Sequence, residues 1–160
     1  MAITTGTLKV NITEHCILNG KNQGASNSFS VSSISNISKR IVTVAADDDA
    51  TVIVVKSTTA AGDGALDKEN LKYIRITNLE SSNSVNISLQ LDSGEDNSAA
   101  DLSVTHLVEA GRSFLMGTPD EAVHAVDDSA SIVTALTDIE SIIVDGGSNQ
   151  VQVEVFTAST

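Results

Sequence analysis

Three consecutive carboxylates at Asp47, Asp48 and Asp49 are the residues whose types most directly suggest chemistry in this chain. Hard cations such as Ca²⁺ bind several carboxylate oxygens at once. The triplet, however, lacks the alternating spacing and the following Glu of a calcium-binding loop, and adjacent side chains point in different directions. The acidic residues between positions 92 and 101 have the same shortcoming. The sequence therefore predicts solvated acidic loops, with no metal site and no cofactor.

The nucleophiles and imidazoles of the chain are also scattered. His15, His106 and His124 are far apart, and no Cys/His pair has the spacing of a zinc site. His15 and its neighbour Cys16 would point to opposite faces of a strand, so they do not share a ligand. No Gly-x-Ser-x-Gly elbow is present, and a single cysteine cannot form an internal disulfide. These observations predict a protein that is not an enzyme.

Composition limits the partners that the chain can bind. The 160 residues include 21 acidic and 9 basic residues, which give a net charge of −12, and only 2% are aromatic. Such a chain is repelled by phosphate backbones and lacks stacking platforms, so we expect no direct binding to nucleic acid. There is no basic leader and no apolar run near the roughly 20 residues that span a membrane. We expect a soluble protein, made in the cytoplasm, that binds no membrane.

The elements that would position these residues are strands, because nearly every apolar stretch alternates with polar residues. About nine or ten short strands, separated by turn signals, predict an all-β fold with a single antiparallel β-sandwich of Greek-key or jelly-roll connectivity. With so few aromatic residues, the core must consist of Val, Ile, Leu and Ala. The predicted sandwich domain covers residues 7–160, preceded by an extended N-terminal arm at residues 1–6.

Local signals predict particular turns. The alternating runs at residues 70–79 and 85–91 are typical of a hairpin, as are the runs on either side of residues 145–149. Asn19-Gly20 predicts a tight turn, because both residues tolerate positive φ. One segment departs from strands. Thr118 at a possible N-cap, Pro119 at the first helical position and Glu121 at the third have the form of a capping box. A short helix near 119–126 and an ordered loop are the alternatives.

Two segments are candidates for contact with partner chains. An extended arm can add a strand to a neighbour's sheet, and a continuous apolar run indicates a strand that is covered on both faces or at an interface. Packing within the monomer is the alternative for both segments. The candidate interface residues are Ala2, Ile3, Thr4, Thr5, Gly6, Val52, Ile53, Val54 and Val55.

Several stretches resemble small all-β virion structural proteins of marine tailed phages. They are GTLK at 6–9 with ILNG at 17–20, YIRITNL at 73–79 with VNI at 85–87, HLVEAGRSF at 106–114, and DIESI at 138–142 with VQVEVF at 151–156. The similarity covers most of the chain after Gly6 and is one of strand and turn style, so it transfers no functional residue. It implies a structural component of a bacteriophage virion, made in the host cytoplasm.

The resemblance leaves more than one place in the virion open. We expect a capsid decoration or cement protein that forms a homo-oligomer and stabilises the outer shell through contacts with the major capsid protein or other virion proteins. A neck, tail or fibre-associated structural protein is the alternative. A host-glycan-binding module is a third interpretation, weakened because Tyr73, Phe29, Phe114 and Phe156 all lie in strand patterns typical of core residues.

Overall fold

The computed structural model describes residues 4–57, 64–91, 102–125, 132 and 136–160, and these residues form strands and turns without a helix. Ten of the strands have four residues or more, within the described part of the chain, in agreement with the predicted nine or ten. The strands are Gly6–Thr13 (β1), Ile17–Leu18 (β2), Lys21–Asn22 (β3), Ser26–Ile34 (β4), Asn36–Val44 (β5), Asp49–Lys56 (β6), Leu66–Asp67 (β7), Leu71–Asn78 (β8), Val85–Leu91 (β9), Leu102–Val108 (β10), Ser113–Met116 (β11), Ile139–Asp145 (β12) and Val151–Ser159 (β13).

Two sheets form a β-sandwich. One has the strand order β10-β9-β12-β6-β7, and the other has the order β11-β8-β13-β5. Eight strands pair as a single long antiparallel hairpin that is rolled into two layers: β5 with β13, β6 with β12, β8 with β11, and β9 with β10. This pairing is that of a jelly roll, which confirms the predicted fold class.

The core between the two sheets is aliphatic. Alternate residues of each strand point into it, including Ile74 and Ile76 from β8 and Val153 and Val155 from β13. β-branched side chains pack well on a pleated surface because their stiff χ1 angles lose little freedom there. Each fully buried aliphatic side chain contributes about 1.5–3 kcal/mol to folding.

The connection between β8 and β9 corrects the central hairpin prediction. The two strands lie in opposite sheets, so the turn at residues 79–84 crosses from one layer to the other. Asn78, fully buried, organises this corner. Its Nδ2 donates to the carbonyls of Asn83 (2.8 Å) and Val108 (3.1 Å), and its Oδ1 accepts the amide of Glu80 at 3.0 Å. The prediction was wrong because apolar and polar residues alternate in the same way whether the next strand pairs with its predecessor or crosses to the opposite sheet.

The predicted hairpin around residues 145–149 is wrong for the same reason, since β12 and β13 also lie in opposite sheets. Asp145 Oδ1 accepts the amide of Gly147 at 2.6 Å within this connection. A Cβ at Gly146 would lie 2.5 Å from the carbonyl oxygen of Asn149, so the crossing requires glycine. Turn residues identified the connection correctly but not the layer to which the chain returns.

The predicted short helix near 119–126 is absent from its described part, residues 119–125, which holds a turn and a bridge. Glu121 has a φ of 42°, and its amide donates to Asp138 Oδ1 at 3.1 Å. Val123 forms an isolated bridge with Thr137, whose amide donates to the Val123 carbonyl at 2.8 Å. Pairing with the segment before β12 therefore replaces the intrahelical bonds that the capping signal predicted.

A separate two-stranded hairpin precedes the eight strands of the jelly roll. β1 pairs with β4, with Leu8 opposite Val31 and Val10 opposite Phe29. The short pair β2–β3 extends it, and Asn19 and Gly20 turn the chain with φ values of 52° and 75°, which confirms the predicted turn. We call residues 6–34 the hairpin arm. The extended arm predicted at residues 1–6 falls on the segment leading into β1, of which residues 1–3 lie outside the described part.

Candidate interaction surface

An aromatic cluster fixes the hairpin arm to the outer face of the four-stranded sheet. Tyr73 and Ala158 point outward from β8 and β13, where Leu8, Val10 and Val31 of the arm pack against them. The ring centre of Tyr73 lies 6.3 Å from that of Phe29 and 5.9 Å from that of Phe156, and the second pair meets edge to face. At such distances each aromatic pair adds about 0.5–1.5 kcal/mol to stability. Burial raises the pKa of the Tyr73 hydroxyl.

An ion cluster borders the aromatic residues on the same face. Glu154 of β13 accepts from Lys39 Nζ of β5 at 2.9 Å and from Arg75 Nη2 of β8. The hydrogen bond from Lys39, with the nearby positive charge of Arg75, lowers the pKa of the Glu154 carboxyl. The Arg75 guanidinium also lies 5.7 Å from the centre of the Phe156 ring. The cluster therefore ties together the three strands β5, β13 and β8.

The distal half of the hairpin arm, residues 11–28, protrudes from the sandwich. Every residue in it is exposed except Gly24, which is half-buried. Three large apolar side chains are among those exposed: Ile12 at 45%, Ile17 at 58% and Leu18 at 59%. Scattered exposed apolar residues are ordinary on protein surfaces, but a group of them on a projecting element is typical of a contact surface.

Side-chain hydrogen bonds give the tip of the arm a defined shape. Asn22 Oδ1 accepts the amides of Cys16 at 3.3 Å and of Gly24 at 3.0 Å. A Cβ on Gly24 would lie 2.0 Å from the carbonyl oxygen of Glu14, so the two segments that link the strand pairs approach too closely there for any other residue. The sequence reasoning missed this arm as a functional element. The sequence features that could have indicated the arm are the alternation of apolar and polar residues in β1, the Asn19-Gly20 turn and Gly24.

Two edge strands of the sandwich are also long and exposed. β5 borders the four-stranded sheet and β10 borders the five-stranded sheet, so each has one unpaired side among the described strands. On the outer face of β5, Ile37 is 56% exposed and Ile41 is 61% exposed; Leu107 of β10 is 65% exposed. Unpaired backbone groups beside exposed apolar side chains make such edges templates for a further strand.

The predicted interface residues fall into different environments. Val52, Ile53 and Val55 are buried within the chain's own core, so only Val54 of that run, 39% exposed, remains available to a partner. Val52 and Ile53 are both buried because the pairing of β6 with β12 shifts register at Val52, between the pairs Ile53–Ile142 and Thr51–Ile143. A bulge turns two consecutive side chains inward.

The N-terminal candidate residues lie at and before the start of β1. Thr4, Thr5 and Gly6 are exposed, and Gly6 begins β1 opposite Ile34. Ala2 and Ile3 lie outside the described residues. The structure thus provides a longer arm than the one predicted: a hairpin over residues 6–34, of which residues 11–28 protrude.

Charge is distributed unevenly along the chain. Residues 1–46, which include the hairpin arm and β5, contain four cations and the single anion Glu14, for a net charge of +3. The remaining residues carry five cations and twenty anions, for a net charge of −15. The first acidic cluster, at Asp47 to Asp49, lies between the end of β5 at Val44 and the first residue of β6. A neutral-to-basic arm and strand thus adjoin an acidic body.

The sites considered from the sequence do not converge in the structure. Within the described residues, no group of three or more His, Cys, Asp and Glu side chains could hold a metal ion. Asp47 occupies a turn and its amide donates to the Gly147 carbonyl, while His106 stacks on Phe114 with ring centres 5.4 Å apart. Cys16 is exposed and unpaired in the arm. The second acidic cluster, between 92 and 101, lies outside the described residues.

Comparison with known proteins returned no match: no family model, no curated protein and no solved structure is significantly similar to this chain. The described part of the chain also contains no helix that is long and apolar enough to cross a membrane. The strand pairing itself defines the fold of this protein, a jelly-roll β-sandwich with a projecting hairpin arm.

Proposed function

We propose that this chain is a structural protein of a bacteriophage virion, most specifically a capsid decoration or cement protein that stabilises the outer shell through protein–protein contacts. The observation that carries the proposal is the hairpin arm. It is anchored by Tyr73, Phe29 and Phe156, yet it presents Ile17 and Leu18 to solvent. An element that is fixed at one end and exposes large apolar side chains at the other suits attachment to another protein better than it suits catalysis.

Stabilisation of the shell would follow from mass action. A protein that binds the expanded shell more tightly than its precursor shifts the equilibrium toward the expanded state by its differential affinity. Each tenfold difference in affinity is worth about 1.4 kcal/mol per site. Because a shell offers many equivalent sites, a modest differential affinity at each one is sufficient. The major capsid protein is the partner that we propose for the distal half of the arm.

Two other functions remain as alternatives. A neck, tail or fibre-associated structural protein would use the same arm, but in few copies per particle. A host-glycan-binding module would need accessible aromatic faces. Tyr73, Phe29 and Phe156 pack on one another beneath the arm, and Phe114 packs on His106, which disfavours this function. The proposal includes no enzymatic activity, no direct binding to nucleic acid or membrane, and no cofactor.

The test is the copy number of this protein in purified virions, relative to the major capsid protein. A ratio near one, or near one oligomer per three capsid subunits, would support the decoration function. About a dozen copies or fewer would favour the neck, tail or fibre alternative, and absence from the particle would refute a virion role.

A second experiment tests the arm directly, using shells stripped of the protein and then refilled. The Ile17→Ser/Leu18→Ser variant should lose occupancy. The control Leu107→Ser, which removes an equally exposed apolar side chain from β10, should bind as the unaltered protein does. Equal occupancy for both variants would show that the arm is not the attachment element.

A further inference from the structure

We propose that Asn19, at the tip of the hairpin arm, is a modification site that deamidates spontaneously and leaves an acidic residue at the tip. The reaction needs only water. The backbone nitrogen of Gly20 loses its proton and bonds to the side-chain Cγ of Asn19, the bond from Cγ to Nδ2 breaks, and ammonia leaves. Water then opens the resulting cyclic imide and leaves either aspartate or isoaspartate at position 19.

The first argument is the residue that follows Asn19. Asn19-Gly20 is the only Asn-Gly pair in the sequence. A side chain on the following residue crowds the attacking nitrogen, and glycine has none. The space around Gly20 is also open, because a Cβ built there would meet no atom of the described residues within 4 Å. The imide ring can therefore form without displacing a neighbour.

The second argument is the freedom of the Asn19 side chain. Asn19 and Gly20 are both exposed. In the part of the chain that the structure describes, the Asn19 carboxamide takes no part in a hydrogen bond. Asn22, three residues along the same tip, differs in this respect, because its Oδ1 accepts the amides of Cys16 and Gly24. The carboxamide of Asn19 is thus free to swing toward the next backbone nitrogen.

The third argument is the ease with which the turn opens. Asn19 has a φ of 52° and Gly20 a φ of 75°, and in this left-handed turn the side chain points away from the nitrogen that it must meet. The turn is held closed by two residue pairs, Ile17–Asn22 and Leu18–Lys21, and all four residues are exposed. So short a ladder buries little apolar surface, so it opens at a small cost in free energy.

Asp145-Gly146 shows the opposite arrangement and serves as a control within the same chain. Aspartate before glycine can form the same imide by losing water, with isoaspartate as a product. Asp145 Oδ1, however, accepts the amide of Gly147 at 2.6 Å. A Cβ at Gly146 would lie 2.5 Å from the carbonyl oxygen of Asn149, so this glycine is crowded where Gly20 is not. The fold therefore hinders ring formation at Asp145.

Deamidation would change the charge and the shape of the tip. Glu14 and Lys21 are the only acidic and basic residues among residues 11–28 and cancel each other, so the product carries an unbalanced negative charge beside Leu18. In isoaspartate the main chain runs through the former side chain, which adds a carbon atom to a turn that two residues span. The pairing of β2 with β3 would then be lost.

The effect on attachment rests on the proposed function. If the tip binds the major capsid protein, an acidic and reshaped tip binds it less tightly than the original one. Binding also favours the closed turn, so an attached arm is protected from the reaction while a free arm is not. Deamidation would thus limit the time during which unattached protein can still join a shell.

The experiment is peptide mass spectrometry of the purified chain after storage at neutral and at mildly alkaline pH, with enzymatic methylation to detect isoaspartate. We expect Asn19 to deamidate before the other described asparagines, and faster at the higher pH because the Gly20 nitrogen must lose its proton. The same rates in denaturant give the effect of the fold, which should slow the reaction far less at Asn19 than at Asp145. In Asn19→Gln, whose longer side chain closes a less favourable ring, this peptide should stay unmodified.

Two results would overturn the modification site: an Asn19 amide that persists in the folded chain while other asparagines react, or equal slowing by the fold at Asn19 and Asp145. Stripped shells, refilled with fresh or with deamidated protein, separate this proposal from the proposed function. Equal occupancy for the two forms would overturn the effect on attachment. Failure of the fresh protein to bind would instead overturn the role of the arm and leave the measured deamidation rates as they are.

Discussion

The hairpin arm should open independently of the sandwich, and the substitution Phe29→Ala tests this. Phe29 is half-buried against Tyr73 and stands opposite Val10 in the β1–β4 pair, whereas the sandwich core is formed by other residues. A half-buried Phe removes roughly 100 Å² from water, which at about 25 cal/mol per Å² is worth about 2.5 kcal/mol. That amount corresponds to a roughly 70-fold increase in the population of the open arm.

Hydrogen exchange at individual amides measures this opening. The amides that join β1 to β4 should exchange roughly 70-fold faster in Phe29→Ala, while the most protected amides of β8 and β13 keep their rates. Phe114→Ala is the control, because Phe114 packs against the sandwich core and its loss should accelerate the sandwich amides instead. Uniform acceleration of both regions by Phe29→Ala would refute the reasoning, since the arm and the sandwich would then unfold as one unit.

Three further substitutions follow from the structure. Because the pKa of Glu154 is lowered in the fold, its contribution to stability is present above its ordinary pKa of 4.5 and is lost as the pH falls through the lowered value. In the Glu154→Gln variant the free energy of unfolding, measured by urea titration at a series of acid pH values, should therefore fall less steeply with pH. Asn78→Ala leaves two carbonyls without their donor and should cost about 2–4 kcal/mol in denaturant unfolding, against less than about 0.5 kcal/mol for the exposed Asn86→Ala. Gly24→Ala should raise exchange at residues 13–26 without changing the melting temperature of the sandwich, whereas Gly6→Ala, whose Cβ would have its nearest neighbour at 4.0 Å, should change neither.

Local sequence signals predicted the strands of this chain well, because each such signal depends only on residues that are neighbours in the sequence. Alternation placed β8 and β9, and the Asn19-Gly20 dipeptide placed the turn between β2 and β3. An aromatic-poor composition likewise predicted the aliphatic core. These features follow from the pleat of a strand and from the φ angles that Asn and Gly tolerate, so no tertiary information was needed.

The pairing of the strands could not be predicted in the same way. At the point where the chain crosses from β8 to β9, the buried amide of Asn78 bonds to Asn83 and Val108, which are 5 and 30 residues away. Partners so distant in sequence cannot be identified from local alternation. The run at Val52 was ambiguous for a related reason. Only the register against β12 shows that a bulge, rather than an intermolecular contact, turns consecutive residues inward.

The arm escaped prediction because its sequence reads like any other pair of strands. What sets it apart is the position of its anchor, which lies outside the core. Phe29, Tyr73 and Phe156 are three of the four residues of types Phe and Tyr in the chain, and all three lie at the arm rather than between the sheets.

The location of these aromatic residues at the arm has a physical reason. Side chains between two sheets are covered from both sides, so aliphatic residues suffice there, whereas a two-stranded hairpin can cover a sheet from one side only. Large aromatic rings bury more area per residue and recover part of that deficit. Because the arm and the core use different residues, we expect the arm to detach while the sandwich stays intact.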